Sequence, residues 1–236
     1  MGGATVSAKE VARFDALAAN WWDPNGPMRP LHRMNPARIG WIRQRIGRHF
    51  PDTAGLRLLD VGCGAGLASE ALAHAGFTVL GLDAAGEAIE AARAHARGQA
   101  LPMLYRAGLA EDLASEGLRF PVITALEVIE HVPDPAAFLR VLASLLEPQG
   151  LLFLSTLNRT TRSFVTAKLG AEYVLRWLPA GTHDWRKFLT PAELGTLLRE
   201  AGLRVSDSVG LMPSPLRGGW RTGADLRVNY MIAAEG

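Results

Sequence analysis

The sequence has few of the features that would fix a protein to an oxidising compartment, to the interior of a membrane or to a nucleic acid. A single cysteine, Cys63, excludes a disulfide within the chain. No apolar run reaches about 18 residues and no segment resembles a signal peptide, so we expect a reducing, cytoplasmic location. The net charge of +2 comes without a dense basic block, so we expect no nucleic-acid partner, whereas weak attraction to an anionic membrane surface stays open.

Strand-like apolar runs alternate with helical patterns along one domain-sized chain of 236 residues without internal repeats. This alternation predicts an α/β fold with a doubly wound, mostly parallel sheet and ligands at the carboxyl ends of its strands. Two later apolar segments, 203–209 and 226–234, suit an antiparallel edge pair. The predicted parallel strands lie at 57–61, 77–82, 101–106, 120–125 and 150–155.

Three glycines at alternate positions follow the first apolar strand: Gly62, Gly64 and Gly66. Without Cβ atoms they tolerate positive φ and let the backbone approach a ligand closely, just before a helix that begins at about Leu67. The spacing differs from the dinucleotide fingerprint, and Asp60 directly before it would repel a diphosphate. The loop therefore favours a cationic cofactor that carries an amino acid, although glycines that merely turn the strand into a helix are the plain alternative. We interpret Cys63 within the loop as a packing residue.

Asp83 follows the next predicted strand and provides the second half of this site. A carboxylate at the carboxyl end of a parallel strand can accept hydrogen bonds from both hydroxyls of a ribose. The alternative is a cap for the helix near Glu87. Together, the glycine loop and the two acidic residues resemble the S-adenosylmethionine site of the Rossmann-like methyltransferases.

Glu127, Glu130 and His131 follow the fourth strand at spacings i, i+3 and i+4. If this stretch forms a helical turn, the three side chains share one face and can hold a divalent cation such as Mg²⁺, which would favour the phenolate form of an acceptor. Alternatively, His131 acts as a general base, or Glu130 and His131 only bond to backbone at a turn. Leu126 is placed either to contact an adenine ring or to pack in the core.

The N-terminal region predicts a lid over the cofactor. Residues 8–22 have the periodicity of an amphipathic helix, and a second helix extends to about Arg48. Arg38 lies early in this second helix, and its guanidinium matches the methionine carboxylate of the cofactor. The alternatives are an exposed charge at Arg38 and tryptophans that anchor a helix.

Residues 159–187 carry an apolar face at four-residue spacing together with basic residues. This pattern suits a helix in a membrane interface that admits a lipid tail, or an ordinary helix covering the active site or a dimer contact. The apolar positions are Val165, Leu169, Tyr173 and Trp177.

Several motifs outside the cofactor loop make the resemblance specific. The chain resembles, nearly end to end, the ubiquinone-biosynthesis O-methyltransferases, which methylate polyprenylated catechols and demethylubiquinol. The motifs that carry this resemblance are Phe14-Asp-Ala-Leu-Ala-Ala-Asn-Trp-Trp-Asp, Pro30-Leu-His-Arg-Met-Asn-Pro-Ala-Arg, the Asp60–Gly66 loop, Glu127-Val-Ile-Glu-His-Val-Pro-Asp-Pro, Ser155-Thr-Leu-Asn-Arg, Gly170-Ala-Glu-Tyr-Val-Leu-Arg, Gly181-Thr-His-Asp-Trp and Val228-Asn-Tyr-Met. Ala65 and Leu126 depart from some relatives without removing a polar group.

The resemblance implies a class I methyltransferase fold with a seven-stranded sheet and helices on both faces. It implies Arg38, Gly62, Asp83 and Leu126 at S-adenosylmethionine and Glu127, Glu130 and His131 at a divalent metal. We expect one domain, with 1–50 as lid, 51–158 as cofactor-binding core, 159–187 as amphipathic insertion and 188–236 as C-terminal helix and edge strands.

The predicted activity is O-methylation of a polyprenylated phenol at the inner face of a membrane, by a peripherally bound enzyme that works beside other quinone-biosynthesis enzymes. Two alternatives remain open. One is methylation of a different lipophilic phenol or small amine. The other is a non-catalytic, cofactor-binding scaffold of a quinone-biosynthesis complex.

Overall fold

The computed structural model describes residues 6–160, 187–214 and 219–236. The predicted insertion at 159–187 lies almost entirely outside the described residues. The helices are α1 (Ala8–Asp15), α2 (Arg29–His49), α3 (Leu67–His74), α4 (Gly86–Ala96), α5 (Ala110–Ser115), α6 (Pro135–Leu145) and α7 (Pro191–Glu200). The strands are β1 (Arg57–Val61), β2 (Thr78–Asp83), β3 (Met103–Ala107), β4 (Phe120–Leu126), β5 (Leu146–Leu157), β6 (Arg204–Pro213), β7 (Trp220–Gly223) and β8 (Asn229–Glu235).

The strands form one sheet in the order β3-β2-β1-β4-β5-β8-β6-β7. Strands β1 to β5 pair in parallel, whereas β8 is antiparallel to both β5 and β6. This arrangement confirms the predicted α/β fold and its antiparallel edge pair. The order reverses at β1 and β4, which places a ligand crevice at the carboxyl ends of these two strands.

The sheet has one strand more than the seven expected. The four residues of β7 pair antiparallel with the end of β6 at the sheet edge. The segment around β7, Gly218-Gly-Trp-Arg-Thr-Gly, lacks the alternating apolar residues that mark a strand in a sequence. Strand β7 therefore forms because it pairs with β6, and the sequence of β7 alone does not predict a strand.

Apolar side chains cover both faces of the sheet, as a doubly wound fold requires. On one face, Leu59 and Ile123 pack in a cluster with α6 and α7. On the other face, Leu58 and Phe153 pack with Trp41 and Ile42 of α2 and with α3. Helix α2 is thereby fixed across the sheet, with its N-terminal half over the carboxyl ends of the strands.

The first helix is shorter than predicted. The pattern over 8–22 indicated one helix, but α1 ends at Asp15 and a 3₁₀ turn follows at Ala18–Asn20. The side chain of Asp15 accepts a hydrogen bond at 2.9 Å from the backbone N–H of Glu87 in the first turn of α4. This long-range hydrogen bond is made by the last residue of α1, and the chain leaves the helix there and continues across α4.

No helix within the described ranges is long and apolar enough to cross a membrane.

Two glycine substitutions test the packing of the sheet edge. A Cβ at Gly210 of β6 would overlap the backbone carbonyl of Asp225, whereas a Cβ at Gly195 of α7 would meet open space. We expect Gly210→Ala to lower the free energy of unfolding by about 2 kcal/mol or more, because backbone must move. Gly195→Ala is the control and should raise it by up to about 1 kcal/mol through helix propensity. Urea denaturation measures both, and equal effects would contradict this packing.

Candidate active site

The glycine loop connects β1 to α3 with the backbone geometry that its spacing predicts. Gly62, Gly64 and Gly66 have φ values of 70°, 54° and 89°, in the left-handed region that glycine tolerates. The N–H groups of Gly62 and Cys63 donate to the carbonyl of Leu82 at 2.7 and 3.1 Å. The loop is therefore fixed to the end of β2 rather than free at the surface.

Asp83 fastens the loop from the end of β2. Its Oδ2 accepts a hydrogen bond from the N–H of Gly64 at 2.7 Å, and its Oδ1 accepts one from the N–H of Ala85 at 2.8 Å. Burial raises the pKa of this carboxyl, and the bonds from Ala85 and Gly64 partly offset that rise. Each oxygen retains a further lone pair, so the group can still accept hydrogen bonds from a diol.

Asp60 is deeper in the protein than a ligand-contacting carboxylate needs to be. It is 1% exposed, and its two oxygens accept hydrogen bonds from the Ser69 hydroxyl at 2.6 Å and the Thr124 hydroxyl at 2.7 Å. Burial raises its pKa, and these two hydroxyls partly offset the effect. The observed role of Asp60 is to join β1, α3 and β4 beneath the glycine loop, and its contact with a cofactor stays a prediction.

The N-terminal segment lies directly on the glycine loop. A Cβ at Gly64 would overlap the six-membered ring of Trp21, so this glycine is required for the close approach of the indole. Trp22 donates its indole N–H to the carbonyl of Ala65 at 3.0 Å and stacks on His95 with ring centroids 3.5 Å apart. The tryptophans therefore anchor the segment at the cofactor loop.

Arg38 is a buried cation, as a carboxylate-binding role requires, and not an exposed surface charge. It is 3% exposed and donates from one terminal nitrogen, Nη2, to Asn35 at 3.2 Å. Its other terminal nitrogen, Nη1, is 3.9 Å from Glu127 Oε1. Burial lowers its pKa, while Glu127 and Asp60 partly restore it. Its buried Nε has no hydrogen-bond partner in the part of the chain that the structure describes, which leaves a donor for a ligand.

Glu127 departs from the expected helical turn. Its φ of 58° is left-handed, so the stretch 127–131 does not put the three predicted side chains on one face. Ser155 Oγ donates to Glu127 Oε1 at 2.6 Å and accepts from the Glu127 N–H at 3.1 Å. The amide of Asn229 approaches both carboxylate oxygens, at 3.4 and 3.5 Å.

Glu130 and His131 point to other partners. Glu130 is 3% exposed and accepts a hydrogen bond from Thr156 at 2.9 Å, and burial, reinforced by Glu127, raises its pKa to about 8. His131 Nδ1 lies 3.0 Å from Glu10 Oε2 of α1. No group of three metal-binding side chains comes together among residues 6–160, 187–214 and 219–236. As placed, the three side chains do not fit a metal ion, and metal binding by them stays a prediction.

The remaining predicted positions are apolar. Leu126 ends β4 and is 8% exposed in the core cluster beneath α2, so its contact with an adenine ring stays a prediction. Burial, together with nearby Asp83 and Asp60, raises the pKa of the Cys63 thiol well above its usual value. The thiol is therefore protonated at neutral pH and is no nucleophile.

Sequence reasoning missed the polar partners that hold the site together: Ser69, Thr124, Ser155, Thr156 and Asn229. A signal was present for three of them. Ser155 and Thr156 begin one of the motifs outside the cofactor loop, and Asn229 belongs to another, Val228-Asn-Tyr-Met. Placing β5 beside β8 in an antiparallel pair brings these motifs to one edge of the sheet.

Comparisons with known proteins agree with this geometry. A family model described as a methyltransferase domain matches residues 31–208. The fold is similar to that of a magnesium protoporphyrin IX methyltransferase from Synechocystis, with a TM-score of 0.62 at 20% identity over 99% of this chain and 90% of that one. The fold and the site thus define a Rossmann-like methyltransferase that depends on S-adenosylmethionine.

Curated relatives narrow the class. Proteins named ubiquinone biosynthesis O-methyltransferase from Azorhizobium caulinodans and Methylobacterium nodulans are each 50% identical to this chain. The alignments cover 98% and 99% of this chain and 94% and 96% of those proteins. The chain belongs to the ubiquinone biosynthesis O-methyltransferase family.

The buried carboxyl of Asp60 predicts a pH dependence of stability. Because folding raises its pKa, the native state binds the proton more tightly, and this contribution is lost as pH rises through the native pKa. Asp60→Asn removes the titration. We expect the unfolding free energy of the wild type minus that of Asp60→Asn to fall as pH rises above about 4. Denaturation curves at several pH values measure this difference, and a difference that grows with pH would contradict the burial argument.

Proposed function

We propose that this enzyme methylates a phenolic oxygen of a polyprenylated ring, with S-adenosylmethionine held between Arg38 and Asp83. The observation that carries the proposal is the buried guanidinium of Arg38, whose Nε has no partner among the described residues and which interacts with Asp60 beneath the glycine loop that Asp83 holds. The names of the relatives support the choice of substrate class, and the positions of Arg38 and Asp83 support the choice of cofactor-binding residues.

Arg38 and Asp83 suit opposite parts of the cofactor. A guanidinium with an unused donor forms a charge-assisted hydrogen bond with a carboxylate, here that of the methionine portion. The lone pairs that Asp83 retains suit ribose hydroxyls. Gly62 has a positive φ, and the side chain of Val128 occupies the space that a Cβ would need, so this glycine keeps the loop closely packed beside Asp83. These features fit the cofactor, which supplies a methyl group activated by its sulfonium.

The acceptor's proton has two candidate destinations within this chain. Glu127 presents a carboxylate that is oriented by Ser155 and Asn229. His131 is the second candidate, and its Nδ1 lies 3.0 Å from the carboxylate of Glu10. Either residue would serve as the general base, and alignment of donor and acceptor provides the rest of the rate enhancement.

The acceptor's lipid tail motivates the membrane part of the proposal. The apolar and basic pattern of residues 159–187 suits contact with the inner face of a membrane, which makes the enzyme peripheral to it. Other quinone-biosynthesis enzymes are the proposed neighbours there, because the intermediate is too apolar to diffuse through water.

Binding of S-adenosylhomocysteine, measured by calorimetry, tests the cofactor site. We expect Arg38→Met and Asp83→Asn each to raise the Kd about tenfold or more, because a charge-assisted hydrogen bond contributes about 1.5–3 kcal/mol. Arg140→Met on the exposed side of α6 is the matched control and should leave the Kd unchanged. Unchanged binding in both site variants would exclude this cofactor geometry.

Turnover with a prenylated catechol and a labelled methyl donor tests the acceptor side. We expect Glu127→Gln to lower kcat by about a hundredfold, in the range of general-base contributions, with cofactor binding retained. An assay of the wild type with a chelator distinguishes a metal-binding role of Glu127 from a general-base role. Full activity in the chelator would dismiss a metal at Glu127, Glu130 and His131, and full activity of Glu127→Gln would dismiss this residue as the base and leave His131. Absence of turnover in the wild type would favour the scaffold alternative.

A further inference from the structure

Asn229 is a buried amide to which neither the sequence motifs nor the family assignment gives a role. It begins β8 between Leu157 of β5 and Leu211 of β6, and it is 3% exposed. A buried amide requires hydrogen-bond partners, since each one that is missing costs about 1–3 kcal/mol. Its neighbours therefore indicate why an amide stands at this position.

The orientation of the Asn229 amide follows from its surroundings. Nδ2 lies 3.4 and 3.5 Å from the two carboxylate oxygens of Glu127, and the sulfur of Met34 lies 3.9 Å away. The flipped amide would place Oδ1 against a carboxylate, and two acceptors repel each other. The N–H₂ group therefore faces Glu127. The two distances are long for hydrogen bonds, but the N–H₂ dipole still attracts the negative charge of the carboxylate.

Ser155 reaches the same carboxylate from the neighbouring strand. Ser155 pairs with Met231 and Leu157 pairs with Asn229, so Ser155 and Asn229 are diagonal neighbours on one face of the β5–β8 pair. The Ser155 hydroxyl bonds to Oε1 of Glu127 and also accepts the N–H of that residue. One carboxylate thus has a hydroxyl and an amide as donors, both carried by rigid strands.

This arrangement matters because the backbone of Glu127 is strained. A non-glycine residue with a φ of 58° costs about 1–3 kcal/mol and persists only where its surroundings impose it. In this left-handed conformation, the carboxylate of Glu127 points towards its two donors, Ser155 of β5 and Asn229 of β8. A helical backbone at Glu127 would point the carboxylate away from them.

We propose that Asn229 is a positioning residue which, together with Ser155, fixes the carboxylate of Glu127 for proton transfer from the acceptor. This inference rests on the proposed function, because Asn229 can position Glu127 for proton transfer only if Glu127 is the catalytic base. The amide sets the orientation of the carboxylate and does not itself touch the reacting atoms.

A double-mutant cycle between Asn229 and Glu127 tests the inference. Asn229→Asp keeps the shape, removes the donor and sets a second carboxylate against Glu127. We expect this variant to lower kcat about tenfold or more, as loss of an orienting partner does, with the Kd for S-adenosylhomocysteine within about twofold of the wild type. In the Glu127→Gln background the same substitution should leave kcat unchanged and lower Tm by less than in the wild type, because the new carboxylate is still buried but no longer faces a second one.

Asn158→Asp is the matched control. Asn158 is also buried at this edge, but its amide donates to the carbonyl of Leu226 at 2.8 Å and not to Glu127. Its effect on Tm should be the same in the wild-type and Glu127→Gln backgrounds.

The outcomes separate the two proposals. If Glu127→Gln lowers kcat but Asn229→Asp adds its full effect in that background, the positioning role is overturned while the proposed function stands. If Glu127→Gln retains full kcat, the catalytic role of Glu127 fails and the inference fails with it. Loss of S-adenosylhomocysteine binding in Asn229→Asp would also overturn the inference, since it would show a general structural role.

Discussion

The buried charge of Arg38 is the constraint on which the rest of the site depends. A guanidinium removed from water is costly unless carboxylates and hydrogen bonds compensate it, and Glu127 and Asp60 supply the negative charge here. The same requirement applies to the carboxylates, which is why Asp60 needs two hydroxyl donors and Glu127 needs Ser155 and Asn229. This charge compensation requires helix α2 to lie across the sheet in one position, with Arg38 close to both carboxylates. A ligand carboxylate at the unused Nε of Arg38 would complete it.

The N-terminal segment connects the glycine loop to His131, which is one of the two proposed bases. Trp21 contacts the glycine loop, Asp15 bonds to the first turn of α4, and Glu10 lies against His131. The ring of Phe14 also meets the imidazole of His131 edge-on, with centroids 5.3 Å apart. Because one short stretch of chain makes all of these contacts, a displacement of the segment by cofactor would be felt at His131 as well. The glycine loop and His131 are thus coupled through one continuous segment of the chain, residues 10–21.

Sequence reasoning recovered what local pattern determines. The apolar runs located the parallel strands to within a few residues, and the glycine spacing predicted the positive φ at Gly62, Gly64 and Gly66. It failed where a distant contact decides the outcome. The short β7 exists because β6 offers it an edge, and α1 ends at Asp15, whose side chain bonds to α4. The hydroxyls around Asp60 come from α3 and β4, and no spacing rule connects residues so far apart in the chain.

Glu127 shows most clearly why side-chain direction resists prediction from spacing. The i, i+3, i+4 rule holds only if every residue between the two ends is helical, and one left-handed φ is enough to break it. As a result Glu127 faces β5 and β8, Glu130 faces Thr156 and His131 faces α1. The three side chains are held by the sheet, by the core and by the N-terminal segment, respectively. A carboxylate on Nδ1 of His131 does not itself prevent Nε2 from binding a metal, but Glu127 and Glu130 are held by different partners, so bringing the three side chains onto one ion requires at least one of them to move from its present position.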